Sequence, residues 1–508
     1  MGKGNEYVWK LLCDKRPNTI DVFCEIVKII IMSNIRKYLD EIILLFNQAG
    51  IKEDFLVIYD VTCLLYLKSL EDFQVVGNYN FSYPDSIFKD HEDCRWSIFA
   101  YLNYQDMYVT YQNKILPFLY QLPNSMGLEK YSRSDRKKLT PESFFLVVSA
   151  INQMFMLELD GDSITKENIV IYDDIYETLL TCLFGKSYRA ELAIPRHLRR
   201  LMCELLQIKY WDKVYDTSLG DGSLLIDAYH YMAVADAPQY HIGFDEDGFK
   251  CILPYNDTVT TNVLRSGLTL EGDESGYILT WLCFMNFYFH RINLNQPQFK
   301  EFVVTCKTKE PFYDKILSAF PTRQSIEKFN EKIDKLGMGG VCVALVPTTL
   351  LYRTTKKTRK LRKRLLSQFT IDAVIALPIE EFLPASGIST AIVVFKYGAS
   401  SNADKIWFCE LYNDGYSNDR RRAKNSDKPL PLLVSSYLHH IEVSNQWFKS
   451  QNIPLVDVMD NEESLLVAQY VDNADDRDLE LDPQKLVREL GELQDKVKQG
   501  IDDLIMYL

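Results

Sequence analysis

Two stretches of the chain carry residue types that could do chemistry. In the first, Val214-Tyr215-Asp216 reads as the end of a strand, and Gly220-Asp221-Gly222 as a tight loop leading into a helix. Glycines let a ligand approach the backbone, and the helix amino terminus offers free N–H groups to an anion. A plain tight turn uses the same spacing, so Gly-x-Gly alone leaves both readings open. In the second stretch, eight cationic residues fall within twelve positions: Arg353, Lys356, Lys357, Arg359, Lys360, Arg362, Lys363 and Arg364. Such a cluster suits phosphates, and each contact adds salt dependence to binding. Its alternatives are a solvated helix face covered by long side chains, or a surface for an acidic protein. The seven histidines form no His-Glu-x-x-His pattern, and there is no phosphate loop of the Gly-x-x-x-x-Gly-Lys-Ser/Thr type and no nucleophile elbow. His439-His440 reads as structural.

The elements that must position these residues follow from periodicity. Residues 1 to about 170 read as helical: Ile26, Ile29, Ile30, Ile35, Leu39, Ile42, Ile43 and Phe46 recur at helical spacing. Arg133 to Lys138 reads as a solvated loop. Beyond Ser187, β-like runs alternate with helical ones. The strand candidates are Lys213–Asp216, Thr269–Glu274, Phe302–Thr305, Lys315–Ala319, Val341–Pro347, Ala373–Pro378 and Ser389–Lys396. This alternation predicts a doubly wound, parallel α/β sheet with its ligand beyond the strand carboxyl ends. The apolar run Tyr277 to Phe289 falls short of the roughly 20 residues a bilayer span needs, and predicts a buried helix. Residues 233–266 read as an insertion. After Gly398 the chain turns polar, with a turn at Asp414-Gly415 and a charged loop from Arg420. Asp482-Pro483 opens a last helix whose apolar seam runs from Leu486 to Leu508, covered either by its own domain or by a partner. The expected domains are a helical unit over 1–170, an α/β unit over 171–400, an extension over 401–480 and an amphipathic helix over 481–508.

The bulk numbers narrow the class. The chain has 508 residues, 47% hydrophobic and 25% charged, which suits a globular protein with a large core. A net charge of −13 argues against nucleic-acid binding by the whole surface and leaves room for a local basic patch. Eleven cysteines, an odd number without a Cys-x-x-Cys pair, predict reduced thiols and a cytoplasmic setting. No signal peptide and no membrane span are expected.

Six motifs in order resemble the modification (methyltransferase) subunit of type I restriction-modification systems, over roughly residues 185 to 508. They are Ile194-Pro195-Arg196 with its helix, the Asp216 to Leu225 loop, Gly272-Asp273-Glu274, Met285-Asn286-Phe287-Tyr288-Phe289-His290, Gly339 to Pro347, and Phe382 to Ile392. Asn413-Asp414-Gly415-Tyr416-Ser417 also fits. The resemblance implies a fold of the S-adenosylmethionine (SAM)-dependent methyltransferase type, Rossmann-like, with a helical amino-terminal domain. It further implies SAM against Pro195, Gly220, Asp221 and Gly222, Asp216 ending the strand beside it, and Glu274 on the ribose hydroxyls. This chain departs from the family loop at Thr217, Ser223 and Leu224, where the family has proline, glycine and phenylalanine.

The larger departure lies at the catalytic tetrad. The family carries Asn-Pro-Pro-Phe where this chain has Ala319-Phe320-Pro321-Thr322. In the family, the Asn carbonyl and a backbone carbonyl accept hydrogen bonds from the adenine amino group, and the aromatic ring stacks on a flipped base. Ala319 has no side-chain acceptor, and losing one such group lowers rates by about 10²–10³. The expectation is a catalytically impaired subunit that binds or scaffolds. DNA would meet the basic cluster, and a specificity-type subunit would meet the Leu486–Leu508 helix. The alternatives are an active adenine-N6 DNA methyltransferase with an unusual tetrad, and a methyltransferase acting on another substrate.

Overall fold

A computed structural model gives the architecture. It describes residues 34–51, 54–75, 85–122, 138–156, 171–184, 194–209, 211–236, 242–252, 269–272, 277–290, 292, 312–319, 326–379, 388–398, 404–417 and 424–471. The described residues of the amino-terminal part are mostly helical; Ile26, Ile29 and Ile30 of the periodic run and Arg133–Lys137 lie outside them. A helix over 34–48 buries Ile35, Leu39, Ile42, Ile43 and Phe46. It precedes α1 (Asp54–Val75), α2 (Pro141–Met156) and α3 (Ile171–Phe184). These helices share one aromatic-rich core that includes Tyr59, Tyr66, Phe99, Tyr111 and Tyr172.

The rest is built on an eight-stranded sheet. In chain order the strands are β1 (Lys213–Asp216), the short pair β2 (Ile242–Phe244) and β3 (Lys250–Ile252), β4 (Thr269–Gly272), β5 (Tyr313–Ala319), β6 (Leu336–Pro347), β7 (Phe369–Ala376), β8 (Thr390–Tyr397), β9 (Lys405–Leu411) and β10 (Phe448–Pro454). The large sheet runs β10-β9-β7-β8-β6-β5-β1-β4, and β2 and β3 form a separate hairpin. β1, β4, β5 and β6 are parallel, so their carboxyl ends lie on one edge. β8 and β10 run antiparallel to their neighbours, which makes the sheet mixed rather than wholly parallel. The Phe302–Thr305 candidate lies outside the described residues.

Helices cover both faces. One face carries α4 (Arg196–Leu206), α5 (Ser223–Asp236) and α8 (Leu430–Leu438) over Val214, Leu317, Val343, Val394 and Trp407. The other carries the helix Ile326–Lys332 and α7 (Lys356–Gln368) over Tyr215, Ile316, Cys342, Val374 and Phe395. Between the two edges the strands are buried on both sides over most of their length and therefore read as near-continuous apolar runs.

The apolar run from Tyr277 is α6 (Tyr277–Phe289). A helix that is apolar all round must be buried all round, and α6 serves two cores. Trp281, Leu282, Phe284, Met285, Tyr288 and Phe289 join the helical core, while Cys283 and Phe287 join the sheet core. Aromatic contacts fix the first side: Trp281 lies 5.3 Å from Tyr59, Tyr288 5.1 Å from Tyr66, and Phe289 stacks on Tyr172 at 5.7 Å. Among the described residues, no helix is long and apolar enough to cross a membrane.

Candidate active site and nucleic-acid interface

The loop from Asp216 to Ser223 leaves the carboxyl end of β1 and enters α5. Gly220 and Gly222 sit at φ +54° and +79°, in the left-handed region where residues with a Cβ are disfavoured. A Cβ on Gly222 would lie 2.6 Å from Cys283 Sγ and 2.6 Å from Phe287 Cε2, so this glycine lets the loop dock against α6. Gly272, paired with Asp216 across β1 and β4, makes room in the same way for Leu219.

Side chains then lock the loop. Asp216 is buried and its Oδ1 accepts from the Ser218 N–H at 2.9 Å. Asp221 folds back on the helix start, accepting from Ser223 N at 3.1 Å and Ser223 Oγ at 2.8 Å. Asn286 reaches in from α6, donating through Nδ2 to the Asp221 carbonyl and to Ser223 Oγ, each at 3.0 Å. Its Oδ1 and the Tyr176 hydroxyl from α3 are buried and have no hydrogen-bond partner among the described residues. Burial pushes the Asp221 carboxyl up to about 6, against the pull of Arg199 and the Ser223 bonds.

Arg199 of α4 ties three helices together. It bonds Asp227 of α5 at 2.5 Å, Glu177 of α3, and the Ile194 carbonyl at 2.7 Å. Burial alone would lower its pKa, but Glu177 and Asp227 hold it above its ordinary value, so the guanidinium stays charged. Pro195 caps α4 on its amino side. His197, on the same helix, lies 3.2 Å from the buried Asp414 and stacks on Tyr416 at 4.2 Å. The Asn413 to Ser417 turn is thus a clasp on the helix that opens the α/β part. The β2–β3 hairpin, within the apparent insertion, closes the same clasp. Asp247 accepts from Lys424 at 2.5 Å and Tyr416 at 3.1 Å, and Arg200 donates to the Lys250 carbonyl at 2.7 Å.

Beside the glycine loop, β5 ends at Ala319, which is buried against apolar neighbours and pairs with Leu345. The hydroxyl of Ser318 is taken by Thr217 Oγ1 at 2.8 Å. The described end of β5 therefore offers no amide or carboxylate. Phe320, Pro321, Thr322 and Glu274 lie outside the described residues, as does the Leu486–Leu508 helix.

The basic cluster divides in two. Arg362 is buried and donates to the carbonyls of Leu350, Arg353 and Glu463 at 2.8–3.1 Å. Arg364 bonds Asn330 at 2.6–2.7 Å and pairs with Asp334. These two hold α7 in place. Lys356, Arg359, Lys360 and Lys363 lie exposed at i, i+3, i+4 and i+7, on one helix face. Lys357 pairs in solvent with Glu327 at 2.6 Å, and Arg353 is half-buried before the helix. Lys356 and Lys360 have no partner among the described residues. α7 follows β6, so its first turn sits at the sheet edge that bears the glycine loop. Cations in a first turn oppose the helix dipole, and like charges four apart repel.

A sequence profile of the N-6 DNA methylase family matches residues 167–318 and 326–479. The chain belongs to this family. Among curated relatives, the Type I restriction enzyme MjaVII methylase subunit of Methanocaldococcus jannaschii is 22% identical over 419 residues, covering 78% of this chain and 67% of the relative. The Type I restriction enzyme EcoEI methylase subunit of Escherichia coli is 25% identical over 302 residues, and the match spans 56% of each protein. Among solved structures, a type I restriction-modification methyltransferase subunit from Streptococcus thermophilus superposes with a TM-score of 0.61 at 15% identity, over 87% of this chain and 100% of that one. A chain from a type I R-M system assembly superposes with a TM-score of 0.58 at 17% identity, over 92% and 96%. The fold is that of SAM-dependent methyltransferases. Sequence reasoning missed Arg199 and Tyr176 as members of the loop's surroundings. Arg199 stands inside a motif that resembles the N-6 methylases, but its acidic partners lie 22 and 28 residues away.

Proposed function

We propose that this chain is the modification-type subunit of a restriction-modification-like assembly, and that it binds DNA and a partner subunit while transferring methyl groups poorly or not at all. The end of β5 carries this reading. Ala319 stands where the resemblance calls for an asparagine acceptor, and the neighbouring Ser318 hydroxyl is already committed to Thr217. Among the described residues there, no side-chain amide or carboxylate is placed to stabilise charge developing on an adenine amino group, and such positioned groups supply a large part of catalysis.

SAM fits the loop in outline. Gly220 and Gly222 hold the backbone open at positive φ. The unpartnered Asn286 Oδ1 supplies a buried acceptor, with Asp216, Asp221, Pro195 and, by the resemblance, Glu274 around it. Bound SAM would supply an electrophilic methyl group. The chain's residues would orient it and exclude water, without an acceptor on the substrate side. We expect weak SAM binding, because Asp216 and Asp221 are already engaged by Ser218 and Ser223. The exposed face of α7 would meet DNA phosphates, the domains being those expected from the sequence and the terminal helix meeting the partner.

The test is transfer of labelled methyl groups to duplex DNA with an added specificity subunit, run beside a SAM titration and a DNA-retention assay. The reading expects retention of DNA without labelling. Clear labelling would establish the active-enzyme alternative instead.

A further inference from the structure

Only part of the basic face of α7 is open, and the closed part is held by an acidic residue from far along the chain. Glu463 lies in the turn after the helix Leu455–Asp460. Its carboxylate sits 3.4 Å from Lys363 Nζ and 3.7 Å from Arg359 Nε, two cations one helical turn apart. The acid is nearly covered, with 14% of its side chain exposed, while Arg359 and Lys363 remain 47% and 56% exposed. Its Oε2 is buried without a hydrogen bond among the described residues. The backbone that delivers it is unusual. Glu462 and Glu463 both adopt positive φ, at +52° and +57°, a strained state for two successive residues with side chains. The turn is held by the Glu463 carbonyl, which accepts from Arg362 Nε at 3.0 Å, and by Leu465 N–H donating to the Leu351 carbonyl at 2.9 Å.

We propose that Glu463 is an acidic latch occupying a two-cation phosphate site on α7, and that a nucleic-acid backbone displaces it. This rests on the nucleic-acid reading of α7 given above. The surface then has two zones. Lys356 and Lys360 are open for first encounter. Arg359 and Lys363 are half exposed but partly neutralised by Glu463, and their full charge is released when a phosphate replaces the carboxylate. The tethered carboxylate reaches the two cations only at 3.4 and 3.7 Å, with no hydrogen bond to Oε2 among the described residues, whereas an untethered phosphate diester of the same charge can bring its two non-bridging oxygens within hydrogen-bond reach of both. The Glu463 carbonyl bond to Arg362 survives the exchange, so the turn need not unfold.

The experiment is fluorescence anisotropy of the full chain with a labelled duplex across a salt series. It compares wild type, Glu463→Gln, Lys356→Ala/Lys360→Ala, and Glu463→Gln/Arg359→Ala/Lys363→Ala. Glu463→Gln is expected to bind about threefold to tenfold more tightly at low salt, with the log–log salt slope steeper by about one to two. The triple variant should lose this gain. If thermal melting shows that Glu463→Gln has unfolded, Glu463→Asn replaces it, since asparagine tolerates positive φ. Unchanged affinity and slope in the latch variant, with wild-type binding still dependent on Lys356 and Lys360, would overturn the latch alone. No binding by any form would overturn both the latch and the DNA reading on which it rests.

Discussion

The glycine loop and the end of β5 are neighbours on one sheet edge, joined by the Thr217–Ser318 hydroxyl bond, yet they are built in opposite ways. Around the loop, Asp216, Asp221, Ser223 and Asn286 meet in a closed set of hydrogen bonds, and α6 fills the space beside Gly222. At the end of β5, Ala319 contributes apolar packing and nothing else. The contrast separates two reasons for keeping a residue. Gly222 is required by the fold whether or not a cofactor binds, because any side chain there collides with Cys283 and Phe287. A catalytic side chain at position 319 has no such second duty. Packing alone can therefore keep such a glycine loop in a methyltransferase fold, and an intact glycine loop is weak testimony for activity.

This difference can be broken at its strongest point first. Arg199→Met leaves Glu177 and Asp227 without their buried partner and should destabilise the chain by about 3–5 kcal/mol, read by chemical denaturation. Gly222→Ala should cost about 2–4 kcal/mol from overpacking and a disfavoured φ. If it is tolerated with an unchanged melting temperature, the packing account of that glycine fails. Asp221→Asn should act in the other direction. The folded-state pKa of about 6 lies above the ordinary 3.8, so the folded chain holds an extra proton between those values. Stability from this group is complete below about pH 4 and is lost as pH rises through about 6. The variant should gain on the order of 2 kcal/mol above pH 7 and show a flatter stability profile over that window. Smallest of all, Lys356→Ala/Lys360→Ala should change stability by less than about 0.5 kcal/mol while lowering DNA retention.

How much of this was legible in the sequence varies with the range of the forces involved. β1 has the predicted limits, β4 the predicted start, and β5 and β6 the predicted ends, while β5 and β6 begin two and five residues earlier, β7 begins four and ends two residues earlier, and β8 shifts by one. Their apolar runs are local signals. Tyr277–Phe289 was legible as a buried helix, but not that its two sides would face different cores, which only tertiary packing decides. β9 and β10 went unrecognised. Lys405–Leu411 stands in a stretch where the surrounding chain turns polar, and Phe448–Pro454 is an edge strand with only intermittent apolar positions. The β2–β3 hairpin was hidden inside the apparent insertion for the same reason. The basic cluster was visible as charge, but its division into buried braces and exposed cations was not. Arg362 and Lys363 are adjacent in sequence and differ only in which way the helix turns them.

The two-sided helix α6 has a consequence for how this protein can be divided. Its tyrosine, tryptophan and phenylalanine side complements α1 and α3, while its Cys283 and Phe287 side complements the glycine loop. A truncation that removes the helical unit strips the cover from Trp281 and Tyr288 and loosens the element against which Gly222 rests. The α/β half is therefore not a module that can be excised or exchanged with a relative's by cutting near residue 190. A viable chimera must bring α1, α3 and α6 from one parent.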